Sequence, residues 1–513
     1  MFSLTQLLRR AAQINGRGLA TADGKRRATW RELRDQVSRF AGGLQRLGVR
    51  AGDRVAILSL NSDRYYLFYF GVAWAGGVFV PVNTRLAPPE IVHWLNDSGA
   101  RVLFVDHNFA QMIPAIRGDL HALETIVYLD DDALPEAMRD FSAVAQGPAV
   151  DDAVRVDDEL AGLFYTGGTT GRSKGVMLSH KNLVINAMQS APIFELTSDE
   201  RALHAAPMFH AADWVICMAM VSVAGENYFI PGFEPVAVMS SIQEHEITRL
   251  VMVPTMINMV VNHPDVGDYD LSSLRHVLYG ASPMPEAVIR RAMEVLPQTR
   301  FVQAYGQTET SPILTMLRPE HHATKLNSAG QAVPGVELAI MDEHDDQLPV
   351  GEVGEVCARG PNVMLGYRNM EEQTAETIRN GWIHTGDGGY MDDEGFLYIV
   401  DRVKDMIVSG GENVYSAEVE NAVHQHPAVA QCAVIGVPHE KWGEQVHAIV
   451  VLKDGARATE HDIIDHCHGL IANYKCPRSV EFTHEALPLS GAGKILKTAL
   501  RKPYWEGREK RVN

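Results

Sequence analysis

Cysteine is scarce in this chain: five residues in 513, at positions 217, 357, 432, 467 and 476, odd in number and without a C-x-x-C pair. That pattern excludes a disulfide framework and argues against a zinc site, so a reducing, cytoplasmic compartment is expected. Long hydrophobic runs are missing as well. The longest uncharged apolar stretch, Trp214 to Gly225, is too short to cross a bilayer and predicts a buried helix, with no integral membrane association.

Positive charge is in deficit, with 46 Lys and Arg against 64 Asp and Glu and a formal net charge of -18. Such a chain repels phosphate backbones, which disfavours a nucleic-acid partner, and any smaller polyanion must be met by individually placed Lys and Arg side chains. Internal repeats, low-complexity tracts and long Pro/Gly/Ser linkers are absent. The N-terminal basic residues Arg9, Arg10, Arg17, Lys25, Arg26 and Arg27 faintly resemble a transit peptide. Against that, Leu4, Leu7, Leu8, Ala11 and Ala12 have helical spacing, and the pattern runs on into Trp30-Arg31-Glu32-Leu33 without a cleavage-like break.

What is present is a composition ordinary for a folded protein, 46% hydrophobic and 21% charged. At about 150 residues per domain the length predicts several structural units. Up to about residue 400, helical patterns alternate with short apolar runs such as Val55-Ala56-Ile57-Leu58, Val102-Leu103-Phe104-Val105 and Arg249-Leu250-Val251-Met252-Val253, the texture of α/β layers with parallel sheet. From about 330 to 400 short strands with many turns predict a β-barrel-like subdomain. After Asp401-Arg402-Val403-Lys404-Asp405 comes a smaller unit, with a helix around Ala417 to His424 and a strand around Ala430 to Val437. The expected organisation is a large α/β domain over 1–401, a hinge at 402–404 and a small, mobile α+β domain over 405–513.

The densest chemical signal follows the apolar run Leu160 to Phe164: Tyr165-Thr166-Gly167-Gly168-Thr169-Thr170-Gly171-Arg172-Ser173-Lys174-Gly175. Glycines let a backbone approach closely, hydroxyls donate hydrogen bonds and Lys174 supplies positive charge, a set suited to a triphosphate. A Walker loop needs Ser or Thr directly after the lysine and then a helix. Here Gly175 follows, and Val176-Met177-Leu178 predicts a strand before a helix start at Ser179.

This segment resembles the signature loop of the adenylate-forming superfamily, which contains acyl-CoA synthetases, firefly luciferases and the adenylation domains of peptide synthetases. Tyr305-Gly306-Gln307-Thr308-Glu309, His384-Thr385-Gly386-Asp387 with Asp401-Arg402-Val403-Lys404-Asp405, and Gly491-Ala492-Gly493-Lys494 match further motifs in the family's order, over essentially the whole chain. The departures are Gly167, where the family often has Ser, and Ser173, where Pro is commonest.

The resemblance implies ATP, Mg²⁺ and coenzyme A as co-substrates and a set of residue roles. Lys494 would bridge the acid's carboxylate and the α-phosphate, while Glu309 and Thr166 would hold the metal. Gly167, Gly168, Thr169, Thr170, Gly171 and Lys174 would cradle the phosphates. Gly280, Ala281, Ser282, Tyr305, Gly306, Thr308 and Ile399 would line the nucleotide site, with Asp387 and Arg402 on the ribose. Lys404 would be the pivot on which the small domain rotates between two half-reactions. Gly410, Gly411 and Glu412 would close the pantetheine channel, and Arg85, Trp442, Tyr474, Lys475 and Arg478 would take the nucleotide end of coenzyme A.

The acid itself is expected near Pro207-Met208-Phe209-His210-Ala211-Ala212-Asp213-Trp214, with Gly280 and Tyr305 close by. Amino-acid-activating relatives carry an Asp directly after this Phe; here His210 stands there, although Asp213 lies three residues on. His210 and Trp214 are four apart, so on a helix they would share a face and could wall an acyl pocket. The chain is thus identified as an acyl-CoA synthetase acting on a medium- or long-chain fatty acid, with an aryl or arylpropenoic acid as the alternative. An enzyme loading a protein-borne pantetheine and a luciferase-like oxygenase are the remaining readings. The expected partner is a small-molecule carboxylic acid, and the chain is expected to be a monomer or homodimer.

Overall fold

Leu4, Leu7, Leu8, Ala11 and Ala12 form the buried stripe of a helix, Leu4–Ile14, so the basic N-terminal segment is folded into the core of the large domain. The structure is a computed structural model. It describes residues 1–166, 173–402, 405–409, 412–439, 442–490 and 493–506, without the side chains of Arg402, Glu412 and Asn413.

Two large sheets carry the N-terminal part. In the eight-stranded sheet, Arg54–Leu58 lies between Val78–Pro81 and Val102–Val105 in parallel register, as its continuous apolar runs require. Leu160–Thr166 extends this sheet beside Val78–Pro81, and Lys174–Ser179 returns antiparallel to it, with Thr166 opposite Lys174. The Gly/Thr-rich segment therefore connects two antiparallel neighbours of this sheet, and Ser179 caps the helix His180–Ile193 that follows. In the nine-stranded sheet, Arg201–His204, Arg249–Met252, His276–Gly280 and Arg300–Tyr305 run parallel in neighbouring positions.

The apolar stretch expected as a helix is Ala211–Val223, buried from Asp213 through Val221. It has no polar face because it lies between the two sheets: Trp214, Cys217, Met218 and Val221 pack into one core, and Val215, Ile216 and Met220 into the other. A third sheet is antiparallel, with Glu337–Met341, Gly354–Arg359, Trp382–Met391 and Ile378–Arg379 in order and Leu397–Arg402 paired on Trp382–Met391. Among the described residues its pairing does not close on itself. The small C-terminal domain packs the helix Ser416–His424 on the long hairpin of Val429–His439 and Gly443–Leu452. The fold is mixed α/β with a large N-terminal and a small C-terminal domain.

Candidate active site

Thr166 ends its strand at the mouth of the hairpin. Tyr165, one residue before, stacks on Trp94 with ring centroids 4.8 Å apart and donates its hydroxyl to Asp97 at 2.6 Å, which anchors this end of the strand. Residues 167–172 lie outside the described residues, so Gly167, Gly168, Thr169, Thr170 and Gly171 receive no structural account. Beyond the loop, the Lys174 ammonium stands 4.6 Å from the centroid of the Tyr367 ring. The Tyr367 hydroxyl donates to Oε1 of Glu309 at 2.9 Å. Burial, with the Glu309 charge beside it, pushes this phenol well above the usual range, so it stays protonated and a donor.

Glu309 sits on a short 3-10 turn, Thr308–Thr310, directly after the strand Arg300–Tyr305, and is only 8% exposed. A buried carboxylate joined by a threonine hydroxyl is a set of hard oxygen donors, the kind Mg²⁺ takes, so the chemistry of Glu309 and Thr166 fits that ion. A second group of possible ligands, Glu355, Cys357 and His384, gathers under the third sheet. There the Arg379 guanidinium approaches His384 Nδ1 to 2.8 Å, so the cation in that cluster is the protein's own.

The residues expected at the nucleotide come from three elements. Tyr305 donates its hydroxyl to Oδ2 of Asp387 at 2.8 Å. Asp387 lies opposite Arg402 in the pairing of its strand with Leu397–Arg402, and Ile399 lies opposite Gly389 two positions along. Gly280 ends its strand against Ala304, where a Cβ would stand 2.0 Å from the Ala304 carbonyl oxygen, so no other residue fits. Ala281 follows with φ +67, turning the chain away from the sheet, and Ser282 is half-buried. Gly306 is held to glycine likewise, since a Cβ there would meet the Pro312 carbonyl at 2.0 Å.

On the acid side, His210 caps the helix Ala211–Val223, and its Nδ1 accepts the Ala212 N–H at 3.1 Å. Burial, and then the positive charge of Lys494, push its pKa down to about 3. The imidazole is therefore neutral, and with Nδ1 accepting, its proton sits on Nε2 as a donor. The lysine that His210 feels belongs to the other domain. Gly493, at φ +80, turns the segment; its carbonyl accepts the Thr255 hydroxyl at 3.3 Å, and the Ser490 carbonyl accepts from Arg85 at 3.1 Å. The lysine turn of the small domain is seated on the large one.

Two sequence expectations are corrected here. His210 precedes the helix, so it does not share a helical face with Trp214. Trp214 is a core residue, 2% exposed, packed edge-on to Tyr69 at 4.7 Å and stacked with Phe79 at 5.1 Å. Asp213 pairs with His204 at 2.8 Å, both fully buried, while Asn227 Oδ1 lies 3.1 Å from the other ring nitrogen. Burial alone would lower the His204 pKa; the Asp213 charge and the two hydrogen bonds outweigh it, and the pKa is raised. The Asp213 carboxylate is committed to the His204 ring, away from any substrate ammonium.

The residues assigned to coenzyme A fall into separate groups. Trp442 stacks on His439 with centroids 4.3 Å apart and has the Arg478 guanidinium 5.2 Å from its ring. Lys475 binds the Glu418 carboxylate at 2.8 Å beside the exposed Tyr474 ring. Arg85 lies with the lysine turn. Lys404, Gly410 and Gly411 and the Glu412 side chain lie outside the described residues. Sequence reasoning missed Tyr367 and Thr255: neither sits in a charged or glycine-rich pattern, and each reaches the site only through a distant partner.

Residues 8–368 match the model of the AMP-binding enzyme family, and residues 418–494 match that of the AMP-binding enzyme C-terminal domain. A feruloyl-CoA synthase of an Amycolatopsis species is 40% identical over 498 residues, 96% of this chain and 98% of that protein. The long-chain-fatty-acid–CoA ligase FadD13 of Mycobacterium tuberculosis is 37% identical over 509 residues, 98% and 99% of the two chains. Among solved structures, the anthranilate CoA ligase AuaEII in complex with anthranoyl-AMP superimposes with a TM-score of 0.92 at 29% identity, covering 98% of this chain and 97% of that one. This chain belongs to the AMP-binding enzyme family and is an acyl-CoA synthetase of the AMP-forming type.

Proposed function

We propose that this enzyme joins an apolar-bodied carboxylic acid to coenzyme A in two steps at one site, with an arylpropenoic or related aryl acid as the substrate class. A carboxylate is already ionised at neutral pH and needs no base. Its oxygen attacks the α-phosphorus of ATP while the bond to the β-phosphate oxygen breaks, giving acyl-AMP and pyrophosphate. The obstacle is anion meeting anion, and placed charge answers it. Lys494 contacts both anions, and the neutral His210 Nε2–H donates to an oxygen of the reacting pair. Lys174 and the residues of the Gly/Thr-rich loop hold the phosphates, and Asp387 and Arg402 hold the ribose. Glu309 and Thr166 would hold Mg²⁺, which when bound would supply neutralisation of the phosphate charge. In the second step the thiolate of coenzyme A attacks the acyl carbon, the bond to AMP breaks, and the thiol proton passes to solvent. Residues 402–404 form the hinge between a large domain, 1–401, and a small domain, 405–513, whose rotation exchanges the two faces.

The observation that carries this reading is the seating of the Gly493–Lys494 turn on Thr255 with the Lys494 charge felt at His210. It supports an arrangement ready for adenylation. The aryl assignment draws support from the 40% identity to feruloyl-CoA synthase. A medium- or long-chain fatty acid is the second reading, favoured by the likeness to FadD13 over 98% of this chain. The test is to measure pyrophosphate release and thioester formation together for a panel of arylpropenoic, benzoic and fatty acids with MgATP and free coenzyme A. Equal amounts of both products with arylpropenoic acids are expected. Turnover confined to fatty acids overturns the aryl assignment, and pyrophosphate without thioester overturns coenzyme A as acceptor.

A further inference from the structure

The segment Met364 to Arg368 is stitched to both halves of the phosphate site by its backbone. Met364 N–H donates to the Glu309 carbonyl at 2.9 Å, Leu365 N–H to the Met177 carbonyl at 2.9 Å, and Arg368 N–H to the Gly175 carbonyl at 2.8 Å. Its strand, Gly366–Tyr367, is the edge of the eight-stranded sheet, with Tyr367 opposite Val176 two residues after Lys174. Gly366, at φ +141, is wedged against Thr374, whose Cγ2 would stand 2.8 Å from an added Cβ, and Thr374 Oγ1 accepts the Tyr367 N–H at 2.9 Å. The Tyr367 backbone is thus held on the side of Thr374. The hydroxyl holds the Glu309 carboxylate and the ring face holds the Lys174 ammonium.

Glu309 belongs to the nine-stranded sheet's connections and Lys174 to the eight-stranded sheet, and each side chain ends in freely rotating bonds. We propose that Tyr367 is the positioning residue that sets the Glu309 carboxylate and the Lys174 ammonium relative to each other, so that a metal–nucleotide complex meets both at once. This rests on the proposed function in assigning Glu309 to the metal and Lys174 to the phosphates. Tyr367 touches neither reacting atom. One phenol does two separable things: the hydroxyl orients an acceptor-only carboxylate, and the ring face restrains a donor-only cation.

The two contributions separate in binding, measured by electron paramagnetic resonance of Mn²⁺·ATP and by calorimetry of metal-free ATP. Tyr367→Phe keeps the ring and removes the hydroxyl. It is expected to weaken Mn²⁺·ATP about tenfold, the loss of one hydrogen bond to a charged group, and to leave metal-free ATP binding unchanged. Tyr367→Leu removes both and is expected to weaken metal-free ATP as well. Thermal unfolding followed by circular dichroism reports that both variants are folded. If Tyr367→Phe binds Mn²⁺·ATP like the wild type while Glu309→Gln does not, the positioning role falls and the metal assignment stands. If Glu309→Gln also binds it normally, the metal assignment falls and takes the positioning role with it.

Discussion

Lys494 stands on a turn closed by its own hydrogen bonds, Ser490 N–H to the Lys494 carbonyl at 2.6 Å and Gly493 N–H to the Ser490 carbonyl at 2.9 Å. In the proposed mechanism its ammonium works only where that turn is seated, so its loss is confined to one half-reaction. Lys494→Ala is expected to slow acyl-AMP and pyrophosphate formation by about a hundredfold to a thousandfold, the range for removing one placed charge at a reacting centre. Thioester formation from supplied acyl-AMP is expected to persist, and loss of both halves in stopped-flow assays would contradict the assignment. Asp213 is legible in the sequence only as a carboxylate near the acid site; burial with His204 makes it structural. Asp213→Asn removes the carboxylate acceptor from a fully buried His204 ring and is expected to cost about 1 to 3 kcal/mol of stability in denaturant titrations. The variant is not expected to change which acids are activated.

At the scale of elements, the hairpin around the Gly/Thr-rich segment, the helix starting after Ser179 and the buried helix Ala211–Val223 were all readable from local pattern. Each depends on residues close in sequence: glycines and hydroxyls between two apolar runs, a serine cap, an unbroken apolar stretch. The face-sharing of His210 and Trp214 was misread because helical spacing holds only inside a helix, and His210 is the cap. The seating of the lysine turn is an element-scale contact with a specific requirement. Gly493 adopts φ +80, and a Cβ there would stand 3.2 Å from Val253 Cγ2. Gly493→Ala is expected to disfavour the turn by about 1 to 2 kcal/mol, slowing adenylation roughly tenfold. A pyrophosphate burst at the wild-type rate would show that the seated turn is not what adenylation uses.

Across the whole molecule, the small domain meets the large one at several points besides the lysine turn. Asp401 accepts the N–H and hydroxyl of Ser416, at 2.5 and 2.7 Å, at the start of the helix Ser416–His424, which has no side-chain cap of its own. Glu286 N–H donates to Oδ1 of Asn421 on the same helix at 3.3 Å. Within the small domain the half-buried Lys497 joins Ser416 at 2.6 Å and Glu420 at 2.7 Å. The Asp401 and Glu286 contacts join the two domains in the state in which Lys494 faces the large domain, so the proposed second half-reaction needs them rearranged about the proposed pivot. Lys404→Pro fixes φ at that pivot and is expected to leave a single turnover of pyrophosphate release intact while depressing overall thioester turnover. Wild-type turnover in the coupled assay would move the hinge elsewhere.

The sequence by itself determined the family, the order of the chemical motifs, the α/β class and the small C-terminal domain. Phosphate-binding turns, an acceptor for ribose and a glycine-flanked lysine demand particular residue types at short spacing, and apolar periodicity is a local property. Only the tertiary structure decided that Tyr367 joins Glu309 to Lys174, that Thr255 receives the lysine turn, that Asp213 is spent on His204 and that Trp214 is core. Those facts depend on which strands lie side by side and on how far each group is removed from water. Sheet order and desolvation are set by contacts between residues far apart in the chain, and no local pattern encodes them.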